Sequence, residues 1–174
     1  MTTRRLFILF GLIFAVQTGH YAEHVTQMIQ IYALHTTPPL ARGLLGSVFD
    51  FEWVHFVYNL GLELALVALW LGYRSIRQAD FSITLNRGIW LLAATAVFQG
   101  YHSIEHITKI LQYLFIPVYR SGLFPPPGIL PDQTGWPIFL VHFWLNTIVW
   151  AAMVVVLWHL RPSIAVQAQA ARAA

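Results

Sequence analysis

Four apolar runs, at about residues 6–32, 49–73, 89–115 and 136–160, are each long enough to cross the hydrocarbon core of a bilayer, which a helix does in about 20 residues. In lipid, backbone groups must find their hydrogen bonds within the segment, so runs of this kind are helical. Only 10% of the 174 residues are charged, against about 25% in a soluble domain, too few to clothe a water-facing surface. The expected fold is all-α: an integral membrane four-helix bundle running up-down-up-down. A single transmembrane domain would cover residues 1–174, with the Ala/Gln-rich stretch 163–174 expected to be a disordered tail.

Arginine gives an expected orientation. Arg4 and Arg5 precede the first run, Arg74, Arg77 and Arg87 flank the connection between the second and third, and Arg161 and Arg172 follow the fourth. The other two connections hold only Arg42 and Arg120. The positive-inside rule then places both termini in the cytoplasm, in a cell membrane of the bacterial inner-membrane kind. Trp53, Trp90, Trp136 and Trp158 fall near the ends of the runs, where interfacial aromatics sit. The net charge of +3 comes mostly from these flanking arginines, so it speaks for a bilayer as partner and not for nucleic acid. The first run could be misread as a signal peptide, but no A-x-A cleavage site follows at the right place.

Within the apolar runs the polar residues recur. Gln17, His20, Glu23, His24 and Thr26 match Gln99, His102, Glu105, His106 and Thr108 in the pattern Q-x-x-H-x-x-E-H-x-T. The match extends to Gln30 with Gln112 and back to Arg5 with Arg87. His55 and Asn59 in the second run likewise match His142 and Asn146 in the fourth, and Arg74 continues into Arg161. The chain therefore reads as an internal two-fold repeat of helix pairs, about 1–80 and about 83–162, of the parallel kind known in membrane proteins. At about 100° per residue, Gln17, His20, Glu23 and His24 share one helix face, as do Gln99, His102, Glu105 and His106. His55 and Asn59 lie one turn apart, as do His142 and Asn146. All six of these histidines and both glutamates fall at one depth, in the extracytoplasmic half.

Ionisable groups inside a membrane are costly and usually mark a functional site. A lone buried histidine is ordinarily a hydrogen-bonded core residue, but six at one level with two glutamates suit a cation that offsets their burial. The chain has no cysteine, which excludes thiolate and iron–sulfur sites and leaves nitrogen and oxygen ligands. The expected metal ligands are His20, Glu23, His24, His55, His102, Glu105, His106 and His142, with Glu23 and Glu105 as bridging ligands or catalytic bases. Two-fold symmetry favours two metal ions, and imidazole suits iron, copper or zinc. With iron or copper, the expected activity is oxygen-dependent oxidation of a lipophilic substrate, or electron transfer. Asn59 and Asn146 also read as interhelical glue, and Gln17, Gln99, Thr26 and Thr108 as supporting groups. His35 and His159 are not repeated. Glu52 and Glu63 share the face of His55 but correspond to Phe139 and Trp150, which makes them an asymmetric addition. Glu52 and His55 do fit the E-x-x-H spacing of di-iron carboxylate bundles.

Three alternatives stay open. The five residues of H-x-x-E-H resemble the inverzincin pattern, which implies a zinc-dependent membrane hydrolase with Glu23 or Glu105 activating water. Histidines on facing helices can also hold b-type haem for electron transfer, with Gly19 and Gly100 giving room. Metal-ion binding or transport is the non-enzymatic class, although no repeated charged path leads through the inner halves of the runs.

Overall fold

The computed structural model describes residues 3–46, 52–77, 83–121 and 125–173. Four long helices dominate: α1 (Thr3–Tyr32), α2 (Glu52–Arg77), α3 (Ile83–Phe115) and α4 (Ile138–Ala173). The stretch between α1 and α2 holds a 3-10 turn at Pro38–Leu40, and that between α3 and α4 holds short helical turns at Pro117–Arg120 and Leu130–Thr134. No strand occurs among the described residues. The expected start of the second run at residue 49 and the expected repeat boundary near residue 80 lie outside the described residues.

α1 packs on α4, α4 on α3 and α3 on α2; α2 meets α1 more sparingly, which closes a ring of four. One end of this ring is apolar. Leu6 and Phe10 from the start of α1, Leu66, Leu69 and Tyr73 from the later turns of α2, Ile89 and Leu92 from the start of α3, and Met153, Val156 and Leu160 from α4 form one buried cluster. The outside is apolar as well: Val97 and Phe115 are each 76% exposed, a pattern that water-soluble surfaces avoid. Trp53, Trp90, Trp136 and Trp158 are all exposed.

Three of the four helices are long and apolar enough to cross a membrane: Arg4–Tyr32, Glu52–Ile76 and Ile138–Arg161. The expected third span is a continuous helix of 33 residues, but it does not join them. The reason is its polar load: Thr95, Gln99, His102, Ser103, Glu105, His106 and Lys109 are all buried on this one helix. In the structure α4 continues to Ala173.

Candidate metal centre

Between the apolar end and the histidines lies a layer of side-chain amides, all four of them buried. Gln17 Nε2 donates to Asn146 Oδ1 at 3.2 Å, and Gln99 Nε2 donates to Asn59 Oδ1 at 3.1 Å. Each glutamine thus reaches the asparagine of the other helix pair. Each asparagine donates in turn to the carbonyl one turn back, Asn59 to His55 O and Asn146 to His142 O, both at 2.9 Å. Neutral amides suit this depth because they pair without burying charge. The asparagines expected as glue do bond across helices.

Above this layer the six histidines form one contiguous cluster. Neighbouring ring centroids lie 4.8 to 6.3 Å apart. Cross-contacts join the pairs: His24 of α1 meets His142 of α4, and His55 of α2 stacks on His106 of α3. The ring nitrogens of His102, His106 and His142 approach within 4.8 Å of one another and could hold a metal ion. Both ring nitrogens of His102 are buried with no hydrogen-bond partner. A buried polar atom left unpaired costs about 1–3 kcal/mol, a cost that a bound cation removes.

Two of the rings are oriented from behind. His106 Nδ1 donates to Glu52 Oε1 at 2.8 Å, and His24 Nδ1 donates to Gln27 Oε1 at 3.1 Å. A carboxylate or an amide oxygen can only accept, so the proton sits on Nδ1 and the lone pair on Nε2. Metal-binding histidines are held by this arrangement. His24 Nε2 lies 3.3 Å from His20 Nε2. Nitrogens at that distance share either a proton or a cation. Bonds of about 2.0–2.1 Å to one tetrahedral metal would place them about 3.3–3.4 Å apart.

The two glutamates are engaged elsewhere. Glu23 accepts the backbone N–H groups of Leu44 (2.6 Å) and Leu45 (2.9 Å). Glu105 accepts those of Ile129 (2.6 Å) and Leu130 (2.8 Å), and the Tyr101 hydroxyl at 3.0 Å. Gln30 and Gln112 complete the attachment, each exchanging two hydrogen bonds with the backbone of Gly43 and Gly128 respectively. These glycines have φ of +71° and +85°, a conformation that strains residues with a side chain. A Cβ at either would also collide with the glutamate carboxylate it faces. Both carboxylates, expected as ligands or catalytic bases, clamp loops onto the helices that carry the histidines.

Sequence reasoning gave Glu52 only a marginal place and missed Lys109. Lys109 is buried and forms an ion pair with Glu52, whose other oxygen holds His106. A signal was available: Lys109 occupies the position that Gln27 fills in the first copy of the motif, and both follow a histidine at helical spacing. A cavity of about 490 Å³ opens beside His20, His24 and His55, between α1 and α2. No family model, no curated protein and no solved structure matches this chain.

Proposed function

We propose that the chain is an integral membrane metalloprotein, a four-helix up-down bundle made from a duplicated helix pair, with both termini cytoplasmic. In this reading the six clustered histidines hold two metal ions in the outer half of the bilayer. His102, His106 and His142 take one ion, and His20, His24 and His55 take the other. The observation that carries it is the oriented imidazole cluster, in which His106 and His24 donate Nδ1–H to Glu52 and Gln27 and so keep a free lone pair on Nε2. The paired hydrogen bonds of the amide layer and of the loop clamps support the duplication. Glu23 and Glu105 keep the loops in place and are proposed as positioning residues, not as bases.

Iron or copper held in such a nitrogen-rich site would supply oxygen chemistry, and we assign an oxygen-dependent oxidation of a lipophilic substrate as the activity. A second reading, mononuclear zinc on His102, His106 and His142, is favoured by their mutual approach within 4.8 Å and by the use of three histidines in catalytic zinc sites. With both glutamates occupied by loops, that reading lacks an evident base.

Metal analysis of the purified protein by inductively coupled plasma mass spectrometry, with an absorption spectrum of the same sample, tests the proposal. The expected result is about two equivalents of iron or copper without a Soret band. His20→Ala and His102→Ala should each remove about one equivalent. Zinc at about one equivalent would favour the second reading, and a metal-free protein would sink both.

A further inference from the structure

The two helix pairs differ most where α1 meets α2. The cavity beside His20 and His55 continues along the helices into a second one of about 360 Å³, and both are lined by Val16 and Tyr58. From Leu12 to Ala22 the groove runs about 15 Å along α1 at the helical rise, the scale of a medium acyl chain. Its inner part is apolar, lined by Leu12, Ile13, Val57, Gly61 and Ala65 among others. Its outer part carries the histidines, the Glu23 carboxylate, whose oxygens are taken up by the N–H groups of Leu44 and Leu45, and Arg42, the one lysine or arginine among the described residues that line it.

Small residues make this space. A Cβ added at Gly19 or at Gly61 would meet nothing within 4 Å. At the offsets that align the histidines, the second helix pair has Tyr101 where the first has Gly19, Ile148 for Gly61, Phe98 for Val16 and Trp144 for Val57. The position of Arg42 is matched, two loop glycines being aligned, by Pro127. One pair thus carries bulk where the other carries space, and an unburied cation, Arg42, stands at the mouth of the space.

We propose that the α1–α2 groove binds a single-chain amphiphile with an anionic head, drawn sideways from the bilayer. Its tail lies between Leu12 and Gly61, and its head lies against Arg42 beside His20 and His55. This rests on the membrane placement proposed above and names the substrate class for the first half of the histidine cluster. A tail that enters from lipid trades one apolar medium for another, so its affinity comes from closer packing against the groove walls. The arginine selects the head by charge.

The test uses the full chain in lipid nanodiscs with a dodecanoic acid bearing a diazirine in its chain, photolysed and mapped by mass spectrometry. The neutral dodecanol analogue serves as control. Label from the acid is expected on residues 12–16 and 57–65, above that on the outward-facing Val97 and Val154. Gly61→Ile, which copies the second pair, should remove most of the groove labelling, because its side chain fills the space that the tail would occupy. Arg42→Gln should erase the preference for acid over alcohol while leaving the alcohol's labelling pattern unchanged. Labelling spread evenly over the outer surface, or unaffected by Gly61→Ile, would overturn the groove. Equal labelling by acid and alcohol in the unsubstituted protein would overturn the anionic head. Metal content measured on the same samples separates either failure from failure of the metal reading.

Discussion

Around His20, His24 and His55 the neighbours are an amide, Gln27, and an open cavity; around His102, His106 and His142 they include a buried ion pair. The same contrast runs through the clamps. Glu105 is buried and receives the Tyr101 hydroxyl, whereas Glu23 is half-buried and has Gly19 where that tyrosine would be. The second half of the cluster is therefore closed and backed by an ion pair, the first open to a cavity and backed by the amide of Gln27. Matching ligands in unlike surroundings suit a division of labour: a metal in the closed half is shielded and held, while the open half can admit a substrate. The difference also shows that motif identity fixes the ligand type without fixing dielectric or access, which depend on residues between the motifs.

The sharpest way to break the comparison is to remove the charge that defines the closed half. Glu52→Ala leaves Lys109 buried without its counter-ion and His106 without its orienting acceptor. Removing one partner of a buried pair costs about 3–5 kcal/mol. Glu52 retains 21% side-chain exposure, so about 3 kcal/mol is expected here, read as a loss of stability to denaturant in detergent. Adding Lys109→Met should restore most of that stability, but not the metal affinity, because His106 still lacks its acceptor. A loss below about 1 kcal/mol, typical of a surface pair, would mean that the closed half is wetter than the structure indicates.

The next effect compares the clamps. Gly128→Ala forces a left-handed conformation on a residue with a side chain, about 1–2 kcal/mol, and displaces a buried carboxylate. Gly43→Ala meets the same backbone strain, but the carboxylate it displaces is half-buried and can turn to water. Thermal unfolding should show the Gly128 variant as the less stable by about 1 kcal/mol, the value of one buried hydrogen bond. Equal losses would mean that the two loops are clamped alike and that burial does not separate them.

Much of the skeleton is legible in the sequence because it is local. Apolar runs fix the helices, and the spacing of His20, His24, His102 and His106 fixes a shared face without knowledge of any partner. The assembly of six rings follows once His55 and His142 are placed at the same depth. What was not legible is non-local or asymmetric. The destinations of Glu23 and Glu105 depend on backbone amides about two dozen residues away in loops, which helical periodicity does not address. Glu52 and Lys109 lie on different helices, and each lacks a charged counterpart in the other pair, so a search for shared residues passes over both. The groove escapes for the same reason, since it is made of differences such as Gly61 against Ile148. α3 differs from the three more apolar helices in its buried polar face, which a count of its length does not weigh.

The smallest effect concerns the open half. Gln27→Ala removes the acceptor behind His24 Nδ1, at 3.1 Å in the structure. Gln27 is half-buried, so water can replace part of what is lost, and stability should fall by no more than about 1 kcal/mol. Metal affinity is the more sensitive readout. Loss of an orienting partner costs about 10–100-fold in comparable sites, and the lower end is expected here because an amide orients less strongly than a carboxylate. A competition titration with a chelator should therefore show one of two bound ions weakened about tenfold, with the other unchanged. Glu52→Gln, which keeps an oxygen acceptor but removes the charge, should weaken the opposite ion and by more. If Gln27→Ala instead weakened both ions equally, the six histidines would act as one shared cluster, and the division into a closed and an open half would describe access alone and not the metals.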